Sequence, residues 1–331
     1  MPTSLKSLAI AWAFTLLIVV GGIGLLEATY DPADIVDPDA LLTGAAVEDV
    51  ADKEPEIPFR PIPVQAIAEL LEMTDQGPLP VIGPDGTRPF ETYSAMAVQA
   101  PEAHKIAIIV TDMGKRSRMT RRALADLPQN TTFAFSPFGQ GINGWAEQAR
   151  RANHETLLMI PMEPANYPQD DPGPLTLLVT QTPSQNLNFM RASMSKLTGY
   201  LGVINNKGSR FTAAKESMRP VLQEFQARGL MYIDGQTSQY STGPELARGM
   251  GVPVAVNSRL GFLDEELSAA VISERLDELE KIAERDGYAV GLARPLPVSI
   301  DAISIWAAGL EARGAVLVPI SQVANQQPAT P

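Results

Sequence analysis

Three carboxylates and one amide follow the ends of short β-rich runs in the sequence. Asp112, Glu163 and Asp234 each lie at such an end, and Asn206 lies at another. The carboxyl ends of parallel strands meet at one rim of a sheet or barrel, so these side chains are predicted to face a common rim. Oxygen ligands of this kind favour Mg²⁺, Mn²⁺ or Ca²⁺ over Zn²⁺. The chemistry they could support is hydrolysis assisted by a divalent metal.

Imidazole and thiolate ligands are scarce in the chain. It has two histidines and no cysteine. His104 precedes the first β-rich run and His154 precedes the third, so both are predicted at strand starts, away from the rim. Catalytic zinc sites usually contain two or more histidines. The sequence therefore cannot easily build a zinc site, and it forms no disulfide.

Strand-like and helix-like stretches alternate from residue 105 to residue 321. The β-rich runs are 105–111, 131–135, 155–160, 200–205, 230–234, 252–257, 288–292 and 315–319. Their apolarity is continuous, which is typical of strands buried on both faces, and the stretches between them carry apolar residues at helical spacing. This pattern predicts an α/β fold, a complete or distorted (β/α) barrel, with a doubly wound open sheet as the alternative. The glycine motifs of dinucleotide and P-loop sites are absent.

The first hundred residues have a different composition. An uncharged apolar run at 8–26 is long enough to span a membrane, with a cleaved signal peptide as the alternative. Lys6 precedes this run and no Lys or Arg follows until Lys53, which predicts that residues 1–7 are cytoplasmic. Residues 27–100 are rich in proline and acid and are predicted to form a linker and an extended arm.

The net charge of −12 argues against nucleic acid as a partner, because phosphate backbones are bound by surplus Lys and Arg. It also argues against a basic face that adheres to anionic lipid. The membrane is predicted to be a partner through the apolar run alone. At the other end of the sequence, the polar segment 323–331 is predicted to be a disordered tail.

The strand-end motifs together resemble those of the divergent polysaccharide deacetylase family, a branch of the metal-dependent carbohydrate deacetylases that is typically exported in Gram-negative bacteria. The matching stretches are IAIIVTDMG (106–114), TFAFSPFG (132–139), NHETLLMIPMEPANYP (153–168), PGPLTLL (172–178), GVINNKGSRFTA (202–213), RGLMYIDGQTS (228–238), FLDE (262–265) and VLVPIS (316–321). The resemblance implies a distorted (β/α) barrel over residues 101–322 and a role in cell-envelope carbohydrate metabolism. Together with the apolar run 8–26 and its flanking charges, it predicts an inner-membrane protein with one span and a periplasmic domain.

The chain departs from the chemistry of the family it resembles. The family ends its first strand with two aspartates, a base followed by a metal ligand, and here Thr111 takes the place of the base while Asp112 keeps that of the ligand. The resemblance places family histidines at Met159, Asn206 and Arg294. These replacements imply an impaired catalyst, with no cofactor or with an atypical divalent metal.

Cations could replace the positive charge of a lost metal. Arg294 or Lys207 is predicted to lie beside Asp112, since a guanidinium can pair with a carboxylate bidentately. Arg210 is a candidate to bind an acidic or acetylated group, and an internal ion pair between Arg210 and Asp234 is the alternative.

Three functions remain open on the sequence alone. The first is a pseudoenzyme that retains a groove for an envelope carbohydrate. The second is an active deacetylase with an oxygen-ligand metal site, in which Asp112 and Asp234 are the catalytic candidates and Asp112 is a metal ligand. The third is a scaffold that recruits envelope proteins. The predicted groove residues are Asp112, Glu163, Tyr167, Asn206, Ser209, Arg210, Asp234, Arg259 and Arg294.

Overall fold

The computed structural model describes residues 61–259 and 261–327. Among these residues, no helix combines the length and the apolarity that a membrane span requires. The predicted cytoplasmic segment 1–7 and the predicted anchor 8–26 lie outside the described residues, as does the first part of the predicted linker.

Two sheets are present in the described part of the chain. The smaller sheet is a hairpin of two antiparallel strands, β1 (Leu71–Thr74) and β2 (Gly77–Pro80). The larger sheet is parallel and consists of β3 (His104–Met113), β4 (Thr132–Phe135), β5 (Thr156–Met162), β6 (Gly202–Lys207), β7 (Met231–Asp234), β8 (Val254–Val256), β9 (Tyr288–Ala293) and β10 (Ala315–Leu317).

Helices follow most strands of the larger sheet. In chain order the α-helices are α1 (Pro89–Thr92), α2 (Ser117–Asp126), α3 (Ile142–Arg151), α4 (Pro183–Met194), α5 (Lys215–Ala227), α6 (Gly243–Met250), α7 (Ala269–Asp286) and α8 (Pro297–Ala307). Short 3₁₀-helices span Ala68–Leu70, Glu311–Arg313 and Ile320–Val323.

The parallel strands form a nearly closed barrel. Strands β3 to β8 follow one another in chain order, and β3 also pairs with β9 and, at its start, with β10. Because no ladder joins β8 to β9, the barrel has a gap at that point. The structure confirms the predicted distorted (β/α) barrel rather than the doubly wound sheet.

Side chains and loops cover the gap between β8 and β9. The backbone N–H of Ser258 donates to the carbonyl of Val290 (2.9 Å), and the Ser258 hydroxyl accepts from the N–H of Val290 (2.8 Å). Along the outer edge of β8, the side-chain amides of Asn325 and Gln327 hydrogen-bond to backbone groups of the strand. The predicted tail 323–331 is thus described as far as Gln327, and its first residues contact the barrel.

Successive residues of each strand point to opposite faces of the sheet and so belong to two different hydrophobic cores. In β3, Ala107 and Ile109 belong to a core formed by strands, the arm and the last 3₁₀-helix, whereas Ile108 and Val110 belong to a core shared with the helices. The first core fills the barrel and the second lies between the barrel and its helices. The apolar runs of the sequence are continuous because each strand supplies both cores.

An arm before the first barrel strand completes the inner core. Ile62, Leu70, Tyr93 and Ala95 are buried together with the inward-facing strand residues. Since these arm residues precede β3 in the chain and share its inner core, the arm is a structural part of the barrel domain.

Arg150, near the end of α3, holds the start of the arm. The residue is 2% exposed, and its guanidinium donates to the carbonyl oxygens of Pro63 (3.0 Å), Val64 (2.6 Å), Thr198 (3.2 Å) and Gly199 (2.9 Å). Burial lowers the pKa of Arg150. The carbonyls supply the acceptors that a buried guanidinium requires.

Candidate functional site

Asp112 lies at a bulge near the end of β3. The register between β3 and β4 shifts between Val110 and Met113. Asp112 has φ 57°, in the left-handed region that Asp and Asn enter more readily than other side chains. Its backbone N–H points at the thioether of Met159 (3.1 Å). A bulge redirects a side chain out of the strand alternation, and the Asp112 side chain is 29% exposed.

The cation that contacts Asp112 is Lys115. Its Nζ lies 2.7 Å from Oδ1 of Asp112, and the turn after the bulge brings the two together. Lys207 pairs instead with Asp170, and Arg294 pairs with Asp264. Neither cation predicted to replace the metal therefore forms an ion pair with Asp112. Lys115 forms that ion pair instead, because it lies one turn after Asp112 in the chain.

Asp112 and Lys115 line a cleft of about 540 Å³ at the ends of β3 and β9. Three segments form it: the turn that leads into α2, the loop after β8 and the turn that leads into α8. Its charged lining residues are Asp112, Lys115, Arg116, Glu265 and Arg294, and its apolar ones are Met119, Leu267, Pro295 and Leu296.

Asp264 fixes Arg294 at this cleft, and the sequence analysis did not single it out. The Asp264 side chain is fully buried and accepts from the backbone N–H (2.8 Å) and Nε (3.1 Å) of Arg294 and from the hydroxyl of Ser299 (2.6 Å). The guanidinium carbon of Arg294 lies 5.3 Å from the ring centre of Phe262. The available signal was the motif at 262–265, which contains both Phe262 and Asp264.

Asp234 is not among the residues that line the cleft. It lies on the same face of β7 as Tyr232, which packs in the outer core. The Asp234 carboxylate is fully buried and accepts from the hydroxyls of Tyr232 (3.0 Å) and Ser241 (2.5 Å) and from the N–H of Gln236 (2.7 Å). Burial raises the pKa of Asp234, and the hydrogen bonds oppose that shift. These contacts order the loop after β7 and leave the carboxylate closed to solvent.

Glu163 and Arg210 join the loops that follow β5 and β6. Nη1 of Arg210 lies 2.9 Å from Oε1 of Glu163, which is 3% exposed, while Arg210 is 51% exposed. The second carboxylate oxygen accepts from the N–H of Val179 (2.6 Å). The alternative in which Arg210 pairs with Asp234 is wrong, since Arg210 pairs with Glu163 and the carboxylate of Asp234 accepts from Tyr232, Ser241 and Gln236 instead.

The other predicted groove residues lie around the rim, outside the cleft lining. The hydroxyl of Ser209 accepts from the N–H of Ala165 (2.9 Å). Tyr167 and Asn206 are half-buried. Arg259 lies 3.5 Å from Glu278 on α7. Of the predicted set, the structure brings Asp112 and Arg294 together in one cleft.

The donor groups do not fit a divalent metal. Within residues 61–259 and 261–327, no three His, Asp or Glu side chains are grouped so that they could hold an ion. The carboxylate of Asp112 is engaged by an ammonium, and the hydroxyl of Thr111 donates to the carbonyl of Ala293 (3.3 Å). Glu163 and Asp234 are each satisfied by separate partners, so the oxygen-ligand site predicted from the sequence is not assembled.

Several known proteins are similar to this chain in structure or in sequence. The crystal structure of an uncharacterized protein from Agrobacterium tumefaciens C58 is 37% identical to this chain, with a TM-score of 0.71, and the match covers 75% of this chain and 99% of that one. The uncharacterized protein YibQ of Escherichia coli K12 is 25% identical over 206 residues, which are 62% of this chain and 63% of that protein, less than two thirds of its length. An uncharacterized protein of Haemophilus influenzae is 23% identical over 206 residues, 62% of this chain and 71% of that one.

The family model described as divergent polysaccharide deacetylase matches residues 108–324. This range runs from within β3 through the last 3₁₀-helix and includes the whole of β4 to β10. The chain therefore belongs to the divergent polysaccharide deacetylase family.

Proposed function

We propose that this protein binds a carbohydrate of the cell envelope and does not deacetylate it. The observation that carries the proposal is the ion pair of 2.7 Å between Lys115 and Asp112, at the position where the resemblance places a metal ligand. An ammonium at this distance compensates part of the charge of the carboxylate, which weakens its attraction for a metal cation.

The residue before Asp112 also disfavours hydrolysis. Deacetylation needs a general base to activate water, and a carboxylate or imidazole serves in that role. Thr111 offers a hydroxyl, which is a poor base at neutral pH, and its proton is directed at the carbonyl of Ala293. The position at which the resemblance places the base therefore holds no group that can take a proton from water at neutral pH.

The cleft is suited to a small organic ligand. Its volume of about 540 Å³ is within the range of small-molecule sites, roughly 300–1,000 Å³. It combines apolar side chains with a few charged groups, as such sites do. Membership of the deacetylase family favours a carbohydrate as the ligand.

The test of this function uses the full chain, purified in detergent without chelators. We expect no stoichiometric divalent metal by elemental analysis, no acetate release from N-acetylated oligosaccharides with added Mg²⁺, Mn²⁺ or Zn²⁺, and saturable glycan binding by calorimetry. A bound metal that is lost in Asp112→Ala, together with acetate release, would refute the proposal and support an active enzyme. Absence of glycan binding would also refute it.

The proposed location is the inner membrane, with the apolar run 8–26 as a single span and the barrel in the periplasm. The run's length and the charges that flank it support this topology. In a Gram-negative host, we expect the protein to stay with the membrane after alkaline washing and to be digested when protease is added to spheroplasts. Protection from protease in intact spheroplasts, with digestion only after lysis, would contradict the proposed topology.

A further inference from the structure

The charge of the cleft lining differs from that of the whole chain. The chain has a net charge of −12, but the lining residues include three cations, Lys115, Arg116 and Arg294, against two carboxylates, Asp112 and Glu265. The buried Asp264, which pairs with Arg294, makes the numbers of cations and carboxylates at the cleft equal. The cleft is therefore about neutral in a chain rich in acid, and it repels an anionic ligand less than an acidic surface does.

Two of these cations are held in place by carboxylates. Lys115 is paired with Asp112 and remains 42% exposed. Arg294 is paired through Nε with the buried Asp264 and remains 35% exposed, and its Nη1 makes no hydrogen bond to the residues that the structure describes. Both side chains therefore keep donors for a ligand while their positions are fixed, which reduces the entropy that binding must offset.

Arg116 is the cation without a carboxylate partner. It is exposed, lines the cleft and forms no ion pair with any residue in the described ranges. It is also the residue immediately before α2, at the N-cap position, and its side chain does not cap that helix. Its guanidinium has five N–H donors in a planar fork that matches a carboxylate or a phosphate.

The rest of the lining matches the remaining parts of a sugar. Glu265 is exposed and makes no ion pair in the described part of the chain, so its oxygens are available to accept from sugar hydroxyls. Met119, Leu267 and Leu296 offer an apolar wall, and Leu267 is 67% exposed. A hydrated inorganic anion gains little from such a wall, whereas the C–H face of a sugar ring can pack on it.

We infer that the carbohydrate bound in this cleft is acidic, and that Arg116 contacts its carboxylate or phosphate group. The inference rests on the proposed function, because it assigns a chemical class to the glycan of the same site. Lys115 and the free Nη1 of Arg294 are the secondary contacts to the anionic group, and Glu265 receives hydroxyls of the ring.

The experiment measures binding to the full chain by calorimetry, with four probes. A tetramer of galacturonic acid is compared with the neutral galactose tetramer obtained by reducing its carboxyl groups. Glucose 6-phosphate and inorganic phosphate are the other two probes, and they distinguish a sugar phosphate from a free anion. We expect at least one of the acidic sugars to bind about tenfold more tightly than the neutral tetramer, as a charge-assisted hydrogen bond provides.

Arg116→Gln is the test variant and Arg118→Gln is its matched control. Both residues are exposed and lie at the start of α2, and both variants remove one positive charge, but Arg118 does not line the cleft. We expect Arg116→Gln to weaken the acidic sugar about tenfold without affecting the neutral tetramer, and Arg118→Gln to change neither. Thermal unfolding confirms that both variants are folded.

The outcomes separate the inference from the function on which it rests. Equal affinity for acidic and neutral tetramers would overturn the acidic specificity while glycan binding stands. Equal weakening by the two variants would overturn the role of Arg116, and inorganic phosphate binding as tightly as the acidic sugars would overturn the carbohydrate as ligand of this cleft. If no probe binds, the inference and the proposed function both fail.

Discussion

Arg150→Ala is expected to lower the free energy of unfolding of the chain by about 3–5 kcal/mol. Arg150 is 2% exposed, and its guanidinium joins the arm, at Pro63 and Val64, to the carbonyls of Thr198 and Gly199 before β6. Truncation removes the side-chain donor from the partly buried carbonyls of Pro63, Val64 and Thr198, whereas Gly199 keeps the hydroxyl of Thr156 (3.1 Å). It also leaves a cavity where the side chain was, and both effects destabilise the folded state.

Urea unfolding of the full chain measures this loss, with Arg151→Ala as the control. Arg151 is the next residue of the same helix and is exposed, so its removal should change stability by no more than about 0.5 kcal/mol. We also expect faster proteolysis within the first residues of the arm in Arg150→Ala. Equal stability of the two variants would mean that apolar contacts alone hold the arm.

A second large effect is expected from pH, through Glu155. This residue precedes β5 and is 1% exposed. Its carboxylate accepts from the N–H of Ala95 (2.9 Å) and from the N–H (3.0 Å) and hydroxyl (2.5 Å) of Ser321, so it joins the arm and the last 3₁₀-helix to the barrel. Burial raises its pKa from 4.5 to about 7, although the hydrogen bonds from Ser321, Ala95 and Ile320 oppose the shift.

The direction of the pH effect follows from this shift. The folded state binds the proton of Glu155 more tightly than the unfolded state, so the stability it contributes is fully present below about pH 4.5 and is lost as the pH rises to about 7. A shift of this size corresponds to about 3 kcal/mol, at 1.36 kcal/mol for each pKa unit. Above about pH 7 the contribution of Glu155 no longer changes.

Unfolding free energies at several pH values between 4.5 and 8 test this expectation. Glu155→Gln removes the titration, so its stability should fall less steeply over that range than that of the unmodified chain. Glu102→Gln makes the same change at an exposed position and should retain the original slope. If Glu155→Gln and Glu102→Gln have the same slope, the carboxylate of Glu155 does not titrate as its burial implies.

The sequence predicted the strands well because burial on both faces leaves a direct signal. The run 105–111 became β3 (His104–Met113), and the run 288–292 became β9 (Tyr288–Ala293). The same continuity of apolar residues does not show which residues of a strand face the barrel interior and which face the helices. An alternation of polar and apolar residues would show it, and these strands have none. Asp234 was therefore assigned to the rim, although its side chain packs with Tyr232 outside the barrel.

The site was predicted less completely than the strands, because the ion pairs between its side chains depend on local backbone geometry. The bulge at Asp112 selects Lys115 as its partner, and nothing in the residue types distinguishes Lys115 from Lys207 or Arg294 in advance. Asp264 was present in a matching motif, but its contact with Arg294 depends on how the loop after β8 reaches β9. Pairings across loops are not encoded in strand or helix periodicity, so only the structure reveals them.

The amides of Asn325 and Gln327 have a consequence for proteolysis and self-association. They occupy the hydrogen-bonding positions of Val254 and Val256 on the edge of β8 that faces the gap in the barrel, where another strand could otherwise pair. Since two side chains and the backbone N–H of Asn325, rather than a strand, provide these hydrogen bonds, a single cut before Asn325 removes them. Cleavage at that point would leave unpaired backbone N–H and C=O groups on β8 in an otherwise intact barrel. We therefore expect loss of these few residues to promote aggregation through strand pairing between molecules.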